Sequence, residues 1–218
     1  MKSDDATVEA ERKALSAALG VNLTKGFDSS PMLTTARIAD FKTRGYTFAI
    51  RYYSLPQAKN KVTLTRAEAQ NISSGGLLCV TVYQFDARTR GSFTLENASR
   101  DADRALVCAD AVGQPPGTPI YFGVDYDAEP ADVTEALVPY FRKVSSILSP
   151  AHTAGVYGSG LVCKTLLADK SVTHSWLSQS TVFHGTSSFT GWNMRQLADF
   201  DASTDPDVAK ADFGGFIV

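Results

Sequence analysis

The chain has 218 residues, of which 44% are hydrophobic, and its formal net charge is −2. This length suits one barrel-sized domain with a substantial core. The nearly balanced charge, without a block of Lys and Arg, gives no indication of a nucleic-acid partner. No apolar stretch approaches the roughly 20 residues of a membrane-spanning helix. The first residues lack the apolar segment of a general secretion signal, so we expect neither a membrane span nor such a signal.

The N-terminal residues read as a helical extension. Over residues 5–19, Val8, Leu15 and Leu19 fall on one stripe of a helix. We therefore divide the chain into an extension over residues 1–20 and a domain over residues 21–218. The extension either docks on that domain or continues from an upstream module.

Strand-like and helical segments alternate through the next 150 residues or so. The predicted strands cover residues 23–27, 47–53, 77–83, 119–124 and 153–157. The helices between and after them cover about 32–44, a segment opening with the capping pattern of Thr65 and Glu68, then 95–112, 132–148 and 160–168. Pro139 predicts that the fourth of these helices either kinks or begins near Leu137.

The pattern changes beyond residue 170. Runs at 174–177, 181–183 and 192–197 stand too close together for helices of normal length between them. Five strand-helix units followed by three strands predict an α/β fold, a TIM-like (β/α)5(β)3 barrel with a trimmed last third. An open doubly wound sheet is the alternative, and the lack of a glycine-rich fingerprint after the first strand disfavours it.

Polar and aromatic residues follow nearly every predicted strand. In such barrels the chemistry sits at the C-terminal ends of the strands. The candidate site residues are Asp28, Arg51, Tyr52, Gln84, Asp125, Asp127, Glu129, Tyr157, Trp176 and Gln196, the last at the end of the predicted eighth strand.

The segment IYFGVDYDAEP, residues 120–130, carries the clearest chemical pattern. Strand alternation places Gly123, Asp125 and Asp127 on one face, where residues two apart are separated by roughly 6.6 Å and side-chain freedom lets the two carboxylates pair. Paired carboxylates at such spacing perform acid and base work on glycosidic bonds, and their proximity raises one pKa. Gly123 would leave room for a ligand. The alternative is structural: Asp127 could cap the next helix.

Other residues have structural interpretations too. Asp28 could be part of a turn, and Tyr157 and Trp176 could be barrel packing. The three histidines show no metal-ligand or triad spacing and are assigned structural or surface roles. Cys79, Cys108 and Cys163 lie in apolar segments, which indicates buried free thiols.

A family resemblance covers residues 24–218. GFDSS, FAIRYY, VYQF, VDYD, AGVYGSG, HSWL and the closing segment with Gln196 and Asp212 resemble a glycoside-hydrolase-like domain of unknown function related to the family 25 lysozymes. The resemblance implies a barrel of five strand-helix units and three further strands, and activity as a muramidase. It implies a catalytic Asp at the first strand, matched by Asp28, and an Asp-x-Glu pair at the fourth. Asp125 matches the first member, and Asp127 stands where that family has its general acid Glu.

These observations lead to one preferred function, hydrolysis of peptidoglycan glycan without a cofactor or metal. Asp127 would be the general acid, Asp125 would stabilise positive charge, and Asp28 would orient the sugar or a water. Tyr52, Tyr157 and Trp176 would be platforms for sugar rings. With no separate nucleophile identified, the substrate's N-acetyl group could serve as one.

Two alternatives and a delivery question remain open. The barrel could bind peptidoglycan or another carbohydrate without cleaving it, or the Asp-x-Asp sequence could hold Mg²⁺ in a phosphate enzyme. For the hydrolase, we expect cytoplasmic synthesis and delivery to the periplasm or cell wall by phage lysis or a dedicated secretion system. An antibacterial role and an inhibitor or immunity protein as partner would fit that route.

Overall fold

The computed structural model describes residues 4–56, 62–198 and 203–218, so residues 1–3 of the predicted extension lie outside the described part. Within these ranges eight strands form a closed barrel in chain order. They are β1 Thr24–Ser29, β2 Phe48–Tyr53, β3 Leu78–Tyr83, β4 Pro119–Gly123, β5 Thr153–Gly158, β6 His174–Leu177, β7 Met194–Gln196 and β8 Thr204–Ala209. Strands β1 to β7 pair in parallel, and β8 runs antiparallel to both β7 and β1. The predicted TIM-like α/β barrel is confirmed.

Helices follow each of the first five strands. They are α2 Thr35–Thr43, α3 Arg66–Ser74, α4 Leu95–Val112, the pair α5 Pro130–Asp132 and α6 Val138–Leu148, and α7 Gly160–Asp169, while α1 Asp5–Leu19 precedes β1. Thr34, Thr65, Thr94 and Ser159 each accept a hydrogen bond from a backbone N–H of the first turn, which fixes where these helices begin. Pro139 lacks an N–H, and a π-helical segment, Val133–Leu137, joins α5 to α6 directly before it. Helical backbone therefore runs on through this segment, and α6 itself begins at Val138, next to the predicted Leu137.

The barrel separates two apolar layers. On β2, Phe48, Ile50 and Tyr52 point into the barrel, whereas Ala49 and Tyr53 point out toward the helices. The inner layer ends at the N-terminal side of the parallel strands, where the ring of Phe213 packs on that of Phe48 at a centroid distance of 4.7 Å. Because these rings fill the N-terminal end of the barrel, its open end lies at the C-terminal ends of the strands.

The N-terminal helix covers the part of the barrel that lacks its own helices. Val8 of α1 is buried in a cluster with Leu177 of β6, Trp192 and Val208 of β8. Asp5 receives two hydrogen bonds from the Arg44 guanidinium, and these bonds hold the pKa of its carboxyl below the usual value. The helix thus docks on the barrel through both apolar and charged contacts.

The tail differs from the prediction in one strand. Residues 181–183 form turns, and Val182 is 85% exposed, so no strand occurs there. The eighth strand lies later, at Thr204–Ala209, and Gln196 ends the seventh strand rather than the eighth. This strand was not predicted, because a proline such as Pro206 inside a sequence run argues against a central strand. In β8 the carbonyl of Pro206 still accepts a hydrogen bond from Leu197.

Two smaller predictions can be checked directly. Cys79, Cys108 and Cys163 are buried free thiols, as predicted. None of the helices among the described residues has the length and apolar character needed to cross a membrane.

Candidate active site

A cavity of about 200 Å³ opens at the C-terminal ends of the barrel strands. Eight residues on or directly after the seven strands β2 to β8 line it: Tyr52, Gln84, Asp125, Tyr157, Trp176, Gln179, Gln196 and Asp205. Most of them are polar, and two are carboxylates that come from opposite sides of the barrel. Asp125 follows β4, and Asp205 lies near the start of β8.

A hydrogen-bond network centred on Gln196 forms the floor of this cavity. The Gln196 side-chain N–H₂ donates to Asp28 Oδ2 at 2.9 Å and to Asp205 Oδ2 at 3.0 Å. Its side-chain oxygen accepts from the Tyr157 hydroxyl at 2.8 Å. The Tyr52 hydroxyl donates to the other Asp28 oxygen at 2.8 Å. All polar atoms of Gln196 are thereby engaged, and its position fixes the two aspartates.

The two tyrosines act as hydrogen-bond donors in this network. Burial, followed by the charge of Asp28, raises the pKa of Tyr52 well above its usual value. Burial, followed by the charge of Asp125, does the same for Tyr157. Both hydroxyls therefore keep their protons near neutral pH.

Asp207 lies beneath the cavity and is fully buried. Its Oδ1 accepts from the indole N–H of Trp176 at 2.8 Å, while its Oδ2 contacts no hydrogen-bond partner among the described residues. Burial, with the nearby charge of Asp28 as the next cause, raises the pKa of Asp207 well above its usual value. We infer that Asp207 is protonated under conditions where an exposed Asp is charged.

Asp125 occupies the rim of the cavity. Its Oδ2 accepts from the Gln84 side-chain amide at 3.2 Å and lies 3.5 Å from Arg88 Nε. A Cβ on Gly123 would lie 3.2 Å from the Gln84 side chain. The room expected above Gly123 is therefore filled by Gln84, which in turn orients Asp125.

Asp127 does not line the cavity. Strand β4 ends at Gly123, so the alternation expected for Asp125 and Asp127 stops before either residue. Asp127 Oδ1 instead accepts from the backbone N–H of His184 at 2.7 Å and lies 2.9 Å from His184 Nδ1. This contact raises the pKa of His184. The two carboxylates thus have different hydrogen-bond partners.

Three further residues proposed for the site lie elsewhere. Arg51 is fully buried in the outer layer, where its Nε donates to Glu68 at 2.7 Å. Asp212 follows the end of β8 at the opposite end of the barrel, 3.1 Å from His174 Nε2. Glu129 precedes α5 with its side chain 67% exposed, 3.9 Å from His184 Nε2, and it does not line this cavity.

The remaining predicted residues do converge on one place. Tyr52, Gln84, Asp125, Tyr157, Trp176 and Gln196 line the cavity, and Asp28 lies directly behind Gln196 and Tyr52. Trp176 is only 2% exposed, so its ring contributes to the floor and leaves little face for a sugar. The role of each residue in catalysis stays a prediction.

Asp205 and Asp207 were missed because β8 was missed. They carry a usable signal nonetheless, since Asp205, Asp207 and Ala209 alternate with Thr204, Pro206 and Val208. Two carboxylates on one face of a short strand that ends in small apolar residues fit a strand lining a polar mouth.

A closed α/β barrel with carboxylates gathered at its mouth is the architecture of glycoside-hydrolase-like domains, among other classes of protein. The chain belongs to the family of Rv2525c-like, glycoside hydrolase-like domains, whose family model matches residues 39–207. That match includes Asp125, Gln196, Asp205 and Asp207 and begins after Asp28.

Two relatives from Bacillus subtilis (strain 168) are uncharacterised proteins. YbfG is 28% identical over 148 residues, which make up 62% of this chain and 20% of YbfG. FadG is 27% identical over 195 residues, which make up 85% of this chain and 34% of FadG. The chain therefore spans about a fifth to a third of the length of these relatives.

Solved structures share the fold. The Tat-secreted protein Rv2525c of Mycobacterium tuberculosis superposes with a TM-score of 0.75 at 22% identity, over 88% of this chain and 98% of that one. The autolysin LytC of Streptococcus pneumoniae, solved with a synthetic peptidoglycan ligand, gives 0.56 at 15% identity, over 85% and 46%. A muramidase from Trichobolus zukalii gives 0.54 at 11% identity, over 87% and 94%. At these identities the likeness concerns the fold.

Proposed function

We propose that the barrel mouth binds and hydrolyses the glycan of bacterial peptidoglycan. The observation that carries the proposal is the cavity itself, in which Asp125 and Asp205 face one space from opposite sides of the barrel. Two carboxyl groups flanking a glycosidic bond are what most glycoside hydrolases use. The shared fold with a muramidase and with an autolysin that takes a peptidoglycan ligand adds support for this substrate.

The residues that line the cavity suggest different catalytic roles for the aspartates from those predicted from the sequence. Asp125, which the family resemblance matches to the first residue of the Asp-x-Glu pair, would stabilise the positive charge that develops on the sugar ring. Asp205, the other carboxyl that faces the cavity, would donate the proton to the leaving oxygen. Asp28, held by Tyr52 and Gln196, would orient the sugar or a water. This scheme gives Asp127 no direct part and requires no cofactor.

Such an activity requires the protein to reach the cell wall. We propose that it acts there, outside the cytoplasm. Rv2525c, which has the same fold, is a Tat-secreted protein.

The deciding experiment is a digest of purified peptidoglycan, with the products separated and weighed by mass spectrometry. We expect new reducing ends, whose identity gives the bond that is cleaved. The D125N variant, which keeps the shape of the side chain, provides the control for contaminating hydrolases. A digest in which wild type and D125N release the same products would refute the proposed hydrolysis.

A second candidate function is glycan binding without cleavage. It is favoured by Asp127, which stands in place of the family's Glu and is engaged by His184 outside the cavity. This alternative predicts that the wild-type protein sediments with insoluble peptidoglycan while releasing no reducing ends. Loss of that binding in a Gln84→Ala variant would locate it at the same cavity.

A further inference from the structure

A second and larger depression lies beside the barrel mouth. It is a groove of about 520 Å³ between the first turns of α7 and the loop that follows β6, residues 178–192. Pro130, Leu161 and Phe189 supply apolar surface, and Lys164 and His184 supply nitrogen atoms. The function proposed above makes no use of this groove.

The two walls of the groove are fixed against each other by backbone contacts. The Leu161 N–H donates to the His184 carbonyl at 2.8 Å, and the Gly160 N–H donates to Thr186 Oγ1 at 3.0 Å. A Cβ at Gly160 would lie 2.1 Å from the Gly185 carbonyl oxygen, so the close approach requires glycine there. The groove is therefore preformed, which lowers the entropy lost when a ligand binds.

The groove adjoins the cavity through the contact between Asp127 and His184. His184 lines the groove, and its backbone N–H and Nδ1 both contact Asp127, two residues beyond the cavity residue Asp125. A substituent on a sugar held in the cavity would have to pass this contact to reach the groove.

The chemistry of the groove does not match a bare glycan. The Lys164 side chain is exposed and, in the described part of the chain, forms no ion pair. In a peptidoglycan glycan without peptides, the only anion is the lactyl carboxylate of muramic acid, which lies next to the sugar ring. The intact polymer offers anions farther from the ring, because its muramic acid carries a short peptide in which small apolar residues adjoin residues with free carboxylates. Asp127 and Glu129 at the cavity end would direct such carboxylates away from themselves and toward Lys164.

We propose that the groove binds the peptide stem of peptidoglycan, with Lys164 pairing with a stem carboxylate and Leu161 and Phe189 packing against its alanine side chains. This inference rests on the proposed function for the choice of substrate, but it concerns a different surface. It predicts that the protein distinguishes peptide-bearing glycan from the same glycan without peptides.

The test uses soluble peptidoglycan fragments with their stems and the same fragments from which an amidase has removed the peptides. Affinity is measured by titration calorimetry with the full chain and two charge reversals, K164E and K143E. Lys143 is exposed on α6 and lines neither the groove nor the cavity, so K143E makes the same change in net charge elsewhere. We expect K164E to weaken binding of the stem-bearing fragment about tenfold and K164A about threefold, with K143E unchanged.

The outcomes separate this inference from the proposed hydrolysis. Stem-dependent binding that K164E weakens, without cleavage of either fragment, would support the groove and refute hydrolysis. Cleavage and binding that are equal for both fragments, or an equal loss in K164E and K143E, would overturn the stem site and leave hydrolysis standing. K164E should bind the stripped fragment as the wild type does, which also shows that the variant is folded.

Discussion

The first five strands and the last three have their outer faces covered in different ways. Each of β1 to β5 is followed by a helix that covers its outer face, whereas β6, β7 and β8 are joined by loops and are covered in part by α1 from the other end of the chain. Strands β1 to β5 and their helices form the regular part of the barrel. Strands β6 to β8 form its irregular part, in which β7 supplies Gln196 to the cavity. The antiparallel strand β8 supplies Asp205 to the cavity and Asp207 below it.

The difference shows where this barrel concentrates its polar groups. In the regular part, the buried charges Arg51 and Glu68 are paired in the outer layer and stabilise the frame. In the irregular part, buried Asp207 forms no ion pair with any described residue, and Gln196 donates to both Asp205 and Asp28 of β1. A buried carboxyl without a cation is costly, so the position of Asp207 below the mouth favours a functional explanation.

The largest expected effect distinguishes the acids that face the cavity from Asp127, which does not. We expect D125N and D205N each to lower peptidoglycan hydrolysis by about 10³-fold, because each removes a charge or a transferable proton at the bond. D127N should change it by less than about fivefold, since its carboxylate is engaged by His184. Initial rates of reducing-end release at equal protein concentration measure all three.

Thermal unfolding monitored by circular dichroism provides the control for folding of these variants. A D127N variant as inactive as D125N would contradict the revised scheme. It would instead restore Asp127 to the role of general acid, as its match to the family Glu first suggested.

The second effect is on stability and concerns the regular part. Arg51 and Glu68 are both buried, and Arg51 also donates to the carbonyl oxygens of Ser29 and Val62. Replacing Arg51 by Met leaves a buried carboxylate without its cation, so we expect the free energy of unfolding to fall by about 3 kcal/mol. Urea denaturation measures this loss.

The matched control is the exposed pair of Arg142 and Asp169. R142M should cost less than about 1 kcal/mol, because solvent screens a pair at the surface. Equal losses in the two variants would show that the buried pair contributes no more than a surface one.

The third effect is also on stability and concerns α1, which covers strands β6 to β8. Val8 is 1% exposed in the cluster with Leu177 and Trp192. V8A should lower the free energy of unfolding by about 2 kcal/mol, from lost burial and the cavity left behind. V107A, at a position of α4 that is 58% exposed, should cost less than about 0.5 kcal/mol. Equal stability of V8A and wild type would mean that α1 contributes nothing to covering these strands.

The frame could be predicted from the sequence because its signals are local. Apolar runs and the capping pattern of Thr65 and Glu68 located the five strand-helix units to within about three residues. The assignment of Arg51 to the mouth was avoidable, since neighbouring residues of a strand point to opposite faces and Tyr52 was placed there too.

The rest depends on contacts that sequence does not show. Strand β8 forms despite Pro206 because β1 and β7 pair with it on both sides. The directions of Asp125 and Asp127 depend on where β4 leaves the sheet, and that point is set by Gln84, Ala87 and His184 from distant parts of the chain.

The last expected effect is a gradual pH dependence that originates at Asp207. In the unfolded chain this carboxyl has an ordinary pKa of 3.8, whereas burial raises its pKa in the folded protein. Above about pH 4 the unfolded chain releases the proton that the folded protein keeps, so the contribution of Asp207 to stability falls as pH rises toward the folded pKa. The slope can reach about 1.4 kcal/mol per pH unit. D207N has no proton to lose and lacks this slope.

The measurement is the difference in free energy of unfolding between wild type and D207N, from about pH 4.5 to about pH 7.5. Other carboxylates, such as Asp5 beside Arg44, have a lowered pKa and lose stability toward acid instead, but they are common to both proteins and cancel in the difference. We expect the free energy of unfolding of D207N to rise steadily relative to that of the wild type as pH rises, because only the wild type has the Asp207 proton linkage. Asn keeps an acceptor for the Trp176 indole N–H, so this hydrogen bond is present in both proteins. A difference that stays constant across this range would mean that Asp207 is charged in the folded protein, and the mouth would then hold one more negative charge than we infer.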